Sequence, residues 1–499
     1  MTHRLRQYLD HLGDLALEVR GDPDTPVSGA TADSREVKPG GLFVAIPGQK
    51  IDGATFIPAA LSAGAAIVAA AQPVELPPGV PFILVRDPYR AAGRIAEVAW
   101  DFPARQLRLH GVTGTKGKTT TAYLLRAIFR SAGLRTGMIG TVEYDTGTGV
   151  PREADRTTPT PFLLQALFRD MVNNQVTDAV LEVSSHALDQ HRPGTVPFAG
   201  GLFTNLTGDH MDYHLTDENY FAAKRRLFTE YLPAGAPAVI NVDDAKGVEL
   251  ARELAVLPGG PRVLPYGRHP DGAAACIREV RTSIGSTCFR LEFDGRERVF
   301  ASPLNGMFNV YNLAGAVTYA LAWGVPEDRI RIALTTCIGA PGRLQPVTSS
   351  DGRFTAFVDY AHTDDSLKNV LSTLRGLNPR RLIVLFGCGG ERDVTKRPRM
   401  GAVAAEFADR ILLTSDNPRG ENPDAILAGI RAGIPAGCAC EVIPNRREAI
   451  RAAVSDLTAE DVLILAGKGH ESYQEICGVK YPFNDVTELR LALDRLVKG

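Results

Sequence analysis

The stretch from Leu107 to Thr121, LRLHGVTGTKGKTTT, constrains this chain more than any other. Alternating apolar residues (Leu107, Leu109, Val112) give way to glycines and threonines. Helical periodicity then begins at Ala122, Leu124, Leu125, Ile128 and Phe129. Strand, glycine-rich loop and helix in that order turn backbone N–H groups and a positive helix end toward a phosphate. Gly114, Thr115, Lys116, Gly117, Lys118, Thr119 and Thr120 are therefore the expected phosphate-binding residues. Lys118 is expected to reach the outer phosphates of a nucleotide and the Thr119 hydroxyl to hold Mg²⁺. One position departs from the usual loop: Val112 stands where a glycine is common, and the glycines fall at 111, 114 and 117.

The chain has 499 residues, too many for one hydrophobic core, so several domains are expected. A net charge of −2 argues against nucleic acid or an anionic membrane as the main partner. The N-terminus lacks an apolar signal-like run and no segment is apolar enough to span a bilayer, so a cytoplasmic protein without membrane insertion is expected, as a monomer. Seven scattered cysteines give no disulfide framework, and the Cys438–Cys440 pair has no partner pair at zinc spacing.

Residues 1–105 read as a small α/β domain, with a polar turn at Asp33–Arg35, a strand at Leu42–Ile46 and a helix capped by Asp87. Residues 106–340 read as a central doubly wound parallel sheet of the phosphate-loop type. Its strands are expected at Leu107–Val112, Ala179–Val183, Leu202–Thr204 and Ala238–Asn241, with helices at 119–132, 161–173 and 217–231. Residues 341–499 read as a C-terminal Rossmann-like α/β domain. Four apolar runs there (FTAFVDYAH, RRLIVLFGCGG, DRILLTSDNPR, DVLILAGKGHE) each end in a polar or glycine-rich turn.

Ligands gather at the carboxyl ends of parallel strands. Glu182 is expected there to complete a metal site with Thr119, and His210, near the next strand end, to bind a second metal. Lys224 sits in AAKRRLF beside two arginines, where a charge run reads as a solvated face. Arg343, Arg392 and Arg419 lie next to turns and suit bidentate capture of carboxylate or phosphate. One domain would then carry a nucleotide and another an anionic small molecule, the arrangement of a transferase or ligase.

GVTGTKGKTTT (111–121), LEVSSHAL (181–188), TNLTGDHMDYH (204–214), AAKRRLF (222–228), NGMFNVYN (305–312), GAPGR (339–343) and DYAHTDDSL (359–367) together resemble the Mur ligase family of peptidoglycan synthesis. The family's loop shares this glycine spacing, which accounts for Val112. Further stretches, ADRTTPTP (154–161), CGGERDVTKRP (388–398), DNPR (416–419) and GKGHE (467–471), resemble the members that add the third peptide residue.

The resemblance implies roles by position. Ser34, with Gln49, Lys50 and Ile51, would contact the uridine nucleotide of a UDP-sugar substrate. Thr157, Thr158, Ser184, Gln190 and Arg192 would hold its muramoyl dipeptide. Glu182, His210 and Lys224, the last as an N6-carboxylysine carbamate, would be metal ligands together with Thr119. Lys118, Glu182, His210 and Lys224 would form the catalytic set. Asn309 would contact adenine and Arg343 a phosphate of ATP, while Asp359 and His362 would line the nucleotide side. Arg392, Asp416, Asn417, Pro418, Arg419, Gly467 and Glu471 would receive diaminopimelate. Its distal zwitterion suits Arg419 for the carboxylate and Glu471 for the ammonium. A buried Arg419 would be left unpaired by lysine, which lacks that carboxylate. One departure is Asp364, where the family usually has proline; aspartate also serves at a helix start.

The implied reaction is ATP-dependent amide ligation through an acyl phosphate, with domain closure bringing the amine to it. It would join meso-diaminopimelate to the D-glutamate γ-carboxylate of UDP-N-acetylmuramoyl-L-alanyl-D-glutamate. A lysine-adding relative, a folylpolyglutamate synthase-like ligase, a nucleotide-dependent switch and a catalytically inactive binding module are the alternatives.

Overall fold

A computed structural model describes residues 2–48, 51–269 and 273–498. Gln49 and Lys50, expected at the uridine site, lie outside the described residues. The chain falls into two compact units, one of Met1–Ala274 with Gly315–Pro326, the other of Ala275–Ala314 with Glu327–Gly499.

Two large sheets lie in the first unit, beside a short antiparallel pair of His3–Arg4 with Pro26–Val27. The N-terminal one has the order Ala16–Arg20, Phe82–Val85, Ala65–Ala70, Gly41–Val44, Ala30–Thr31, parallel except for its first pair. The helix Pro88–Ala99 begins as expected on Asp87, whose carboxylate accepts from Tyr89 and Arg90 N–H, and it buries Ala91, Ile95 and Val98.

The second sheet has the strand Arg108–Thr113 at its centre. On one side lie Asp178–Glu182 and then Thr136–Ile139, on the other Gly200–Phe203, Pro237–Asn241 and Arg262–Gly267, all parallel. Leu109, Val112, Val180, Leu181, Leu202 and Val239 are buried, as continuous apolar strands between helical layers must be. The central strand is followed by strands on both of its sides. Its carboxyl end is therefore a topological switch point, where open α/β sheets bind ligands.

The second unit carries the four expected C-terminal strands, Thr355–Asp359, Val462–Ala466, Leu382–Phe386 and Arg410–Leu413, side by side and parallel in that order. Short edge strands Gln345–Thr348 and Cys440–Val442 flank them. Residues Ala275–Ser302 depart from the expected strand–helix alternation. They form three antiparallel strands, Ala275–Ser283, Ser286–Phe293 and Arg296–Ser302, joined by tight turns at Gly285 and Gly295. Alternating Phe289, Leu291 and Phe300 bury one face, the period-two pattern of a half-solvated sheet.

Candidate active site

Between strand Arg108–Thr113 and helix Lys118–Ser131, the glycine-rich loop closes as the sequence predicts. Two of its residues need glycine. Gly117 has φ +88° at the helix start, and at Gly114, with φ +140°, a Cβ would lie 2.0 Å from Thr204 Oγ1. The next strand end clamps the loop from below. Asn205 accepts from Lys116 N–H at 3.0 Å and donates to Lys116 O at 3.0 Å, and Thr204 Oγ1 donates to the same carbonyl at 2.7 Å. Lys118 Nζ donates to Gly114 O and Thr115 O, each at 2.9 Å, so it lies over the loop it serves.

Glu182 ends strand Asp178–Glu182 and is buried. Its Oε2 accepts from Thr119 Oγ1 at 2.8 Å, which puts the expected carboxylate and hydroxyl together. Thr141 also holds it, through its backbone N–H at 2.9 Å and its hydroxyl at 3.1 Å.

Lys224 corrects the reading of a solvated charge run. On helix Asp217–Thr229 it is buried, and its Nζ donates to Gly114 O at 2.7 Å and lies 4.4 Å from the Tyr220 ring centroid. Burial, aided by the nearby Lys118 charge, pushes its pKa well below the ordinary lysine value. The two neighbouring arginines do face outward, toward Glu253, Asp189 and Glu230.

His210 lies beyond strand Gly200–Phe203, at φ +54° before the short helix Met211–His214. Its side chain is about half exposed, 3.7 Å from Asp209, with its ring 4.9 Å from that of His186.

The expected dipeptide residues gather beside Glu182. Thr158 Oγ1 donates to Glu182 O at 2.7 Å and accepts from Ser184 N–H at 3.0 Å. Arg192 donates to Thr158 O at 2.6 Å and to Gln190 Oε1 at 2.9 Å. Burial, with the nearby Arg156 charge, lowers the pKa of Arg192 to about 10. Thr157 places its hydroxyl 3.1 Å from that of Thr141. Ser34 is half-buried in the turn after the cap Asp33, and Ile51 is exposed.

In the second unit, Asp416 and Asn417 are buried at the end of strand Arg410–Leu413. Asn417 donates to Glu471 at 2.8 Å, and the buried Lys468 bridges Asn417 at 3.0 Å and Glu471 at 2.9 Å. At Gly467, φ is +108° and a Cβ would lie 2.6 Å from Asp416 Oδ2. Pro418 turns the chain into Arg419, at φ +52°. The idea that Arg419 lacks a partner until a carboxylate arrives does not hold. Its guanidinium is 3.3 Å from Glu475 and donates to Gly390 O at 2.7 Å. Arg392 is exposed.

Asp359 is buried, accepting from Leu344 and Ala361 N–H at 2.6 and 2.8 Å, and Arg343 lies 5.1 Å from the Tyr360 ring centroid. His362 is exposed, with Nδ1 2.9 Å from Tyr360 O. The Asn309 amide is engaged locally, donating to Asn305 O just before its helix at 2.8 Å and accepting from Asn312 at 3.1 Å. The following helix starts on Thr363 as its cap, with Asp364 one place inside and 3.1 Å from Arg399.

Sequence reasoning passed over Thr141, Asn205, Lys468 and Glu475. Thr141 follows the strand Thr136–Ile139, which is too short to register by periodicity. Asn205 and Glu475 reveal themselves through partners distant in sequence, and Lys468 through both a neighbour, Glu471, and the distant Asn417.

The chain matches the Mur ligase middle domain over residues 112–320, the glutamate ligase domain of the Mur ligases over 342–469 and the catalytic domain of the Mur ligase family over 26–97. It is 42% identical over 493 residues to the UDP-N-acetylmuramoyl-L-alanyl-D-glutamate--2,6-diaminopimelate ligase of Gloeobacter violaceus, covering 99% of this chain and 98% of the relative. The enzyme of the same name from Aquifex aeolicus is 42% identical over 459 residues, 92% of each chain. A solved structure bearing that name superposes with a TM-score of 0.74 at 34% identity, covering 99% of both chains. A folylpolyglutamate synthase of Mycobacterium tuberculosis complexed with ADP shares the fold at 20% identity and a TM-score of 0.59, over 76% of this chain and 92% of its own. On these matches, carried by the phosphate loop and the residues gathered around it, the chain belongs to the Mur ligase family and is an ATP-dependent ligase.

Proposed function

We propose that the chain joins meso-diaminopimelate to the D-glutamate γ-carboxylate of UDP-N-acetylmuramoyl-L-alanyl-D-glutamate, with ATP converted to ADP and phosphate, as a monomer in the cytoplasm. The observation that carries this reading is Glu182. Buried, it is bonded to the loop residue Thr119, and it stands beside Thr157, Thr158 and Arg192. Phosphate chemistry and an anionic acceptor thus share one strand edge. Among the described residues no helix is long and apolar enough to cross a membrane.

Glu182 and Thr119 offer hard oxygens, and among the described residues no group of three or more His, Cys, Asp or Glu converges on a metal position. A sparse oxygen set of this kind suits Mg²⁺, which keeps waters and takes substrate phosphates as its remaining ligands. Thr119, Glu182, His210 and Lys224 would hold the ion, which when bound neutralises charge on the transferring phosphoryl group.

The chain's own residues do the rest. The loop amides and Lys118 hold the phosphates, and Arg192 with Thr158 and Ser184 presents the acceptor carboxylate. That carboxylate attacks the γ-phosphorus, ADP leaves, and the amine of diaminopimelate displaces phosphate from the acyl phosphate. Rate enhancement comes from positioning and charge complementarity. The depressed pKa of Lys224 favours the neutral amine, which adds to CO₂ with loss of a proton to give an anionic carbamate. Arg419 would exchange Glu475 for the distal carboxylate of the amino acid, and Glu471 would meet its ammonium. The functional division runs 1–105 for the UDP-sugar, 106–340 for ATP and 341–499 for the amino acid, in line with the three family matches.

Phosphate release with the UDP-dipeptide and each candidate amino acid tests the reading. Release with meso-diaminopimelate and none with lysine is expected. The reverse would reassign the specificity, and release with no amino acid would make the chain a plain ATPase.

A further inference from the structure

We propose that Thr141 is a positioning residue that couples the phosphate loop to the acceptor site through a single hydroxyl. The inference rests on the substrate assignment above.

Strand Thr136–Ile139 runs parallel to Asp178–Glu182 and delivers Gly140 and Thr141 to the same carboxyl edge. Gly140 lets the backbone come close, since a Cβ there would lie 2.2 Å from Glu182 Oε1. Thr141 then grips both carboxylate oxygens, with its N–H 2.9 Å from Oε1 and its hydroxyl 3.1 Å from Oε2. The same hydroxyl is 3.1 Å from that of Thr157.

A hydroxyl has one proton to give and lone pairs to accept with. While Thr141 gives its proton to Glu182, Thr157 gives its own to Thr141 and has none for a substrate. Oε2 is also the atom that Thr119 bonds from the loop. Occupation of the loop draws on that oxygen and weakens its claim on the Thr141 proton. Thr141 can then donate to Thr157, whose hydroxyl proton becomes available to the acceptor. The neighbouring link, from Thr158 to the Glu182 backbone carbonyl, has no such freedom, because a carbonyl always accepts.

Calorimetric titration of the full chain with UDP-N-acetylmuramoyl-L-alanyl-D-glutamate tests this, with and without Mg²⁺ and a non-hydrolysable ATP analogue. In the wild type the analogue is expected to tighten acceptor binding by roughly fivefold or more, the lower end of ordinary site–site coupling. Thr141→Val keeps the shape and the backbone N–H, and should bring that factor close to one while the protein still binds each ligand alone. Thr141→Ser should restore it. A coupling factor kept by Thr141→Val, lost in Thr141→Ser, or absent from the wild type overturns the proposal. Wild type that binds the nucleotide analogue but never the UDP-dipeptide overturns the substrate assignment, and this coupling with it. Thermal melts confirm that both variants are folded.

Discussion

The phosphate-loop edge of the first unit and the DNPR edge of the second treat charge in opposite ways. At the loop, Lys224 is buried against a carbonyl and an aromatic ring, and Arg192 donates to a carbonyl and an amide; among the described residues neither of these hydrogen-bonds a carboxylate. At the DNPR edge, Arg419 rests on Glu475 and Glu471 on Lys468. The first site holds basic groups whose burial disfavours their charged forms, so on the proposed assignment an anion bound there would offset a desolvation cost. The second is built around existing ion pairs, so on the proposed assignment the amino acid would have to exchange them, at a cost in affinity for its contact area.

The contrast is broken most directly at the loop. Lys118→Ala should lower kcat by on the order of 10²–10³, as loss of one preorganised electrostatic donor does, with little change in Tm. A loss confined to KM for ATP would show that the lysine only binds. Arg419→Ala should act on the other side alone. It is expected to raise KM for diaminopimelate about tenfold or more, roughly 1.4 kcal/mol, and to shrink the preference over lysine, with KM for ATP unchanged. An equal effect on both substrates would erase the distinction between the edges.

A pH experiment sharpens it. Burial pushes the Asp359 carboxyl up to about 6, against the pull of Arg343 and two backbone N–H groups. An acid with a raised folded pKa holds its proton more tightly when folded. It therefore contributes stability below the ordinary carboxylate range and loses that contribution as pH climbs from about 4 to about 6. Across that window the Tm of the wild type should fall relative to Asp359→Asn; parallel curves would show Asp359 ionised throughout. The smallest effect belongs to the exposed Arg392. Arg392→Ala should change diaminopimelate binding by less than about 1 kcal/mol, and the difference should fade in high salt.

Much of the fold was legible because long buried strands and amphipathic helices announce themselves. The helix Pro161–Asn173 stands as expected, and Lys118–Ser131 differs from its expected span by one residue at each end. The four C-terminal runs all proved to be parallel neighbours. Residues 275–302 were misread as strand–helix alternation. Their strands alternate polar and apolar side chains on one solvated sheet, a weaker signal than a buried run. Among site residues, Glu182 could be placed because strand ends collect ligands, and Thr119 because its loop has a mechanism.

The sequence by itself determined the phosphate loop, its glycine spacing and the family, since these depend on residues close together in the chain. Only the tertiary structure decided what each charge faces. Lys224 reads as one of three cations on a solvated helix until the fold buries it against Gly114, 110 residues away. Arg419 reads as an unmet cation until the strand Tyr473–Ile476 brings up Glu475. Thr141 is an unremarkable loop threonine until a parallel strand lays it between Glu182 and Thr157. Desolvation and hydrogen bonding set the chemistry of such groups, and both depend on neighbours that local sequence does not specify.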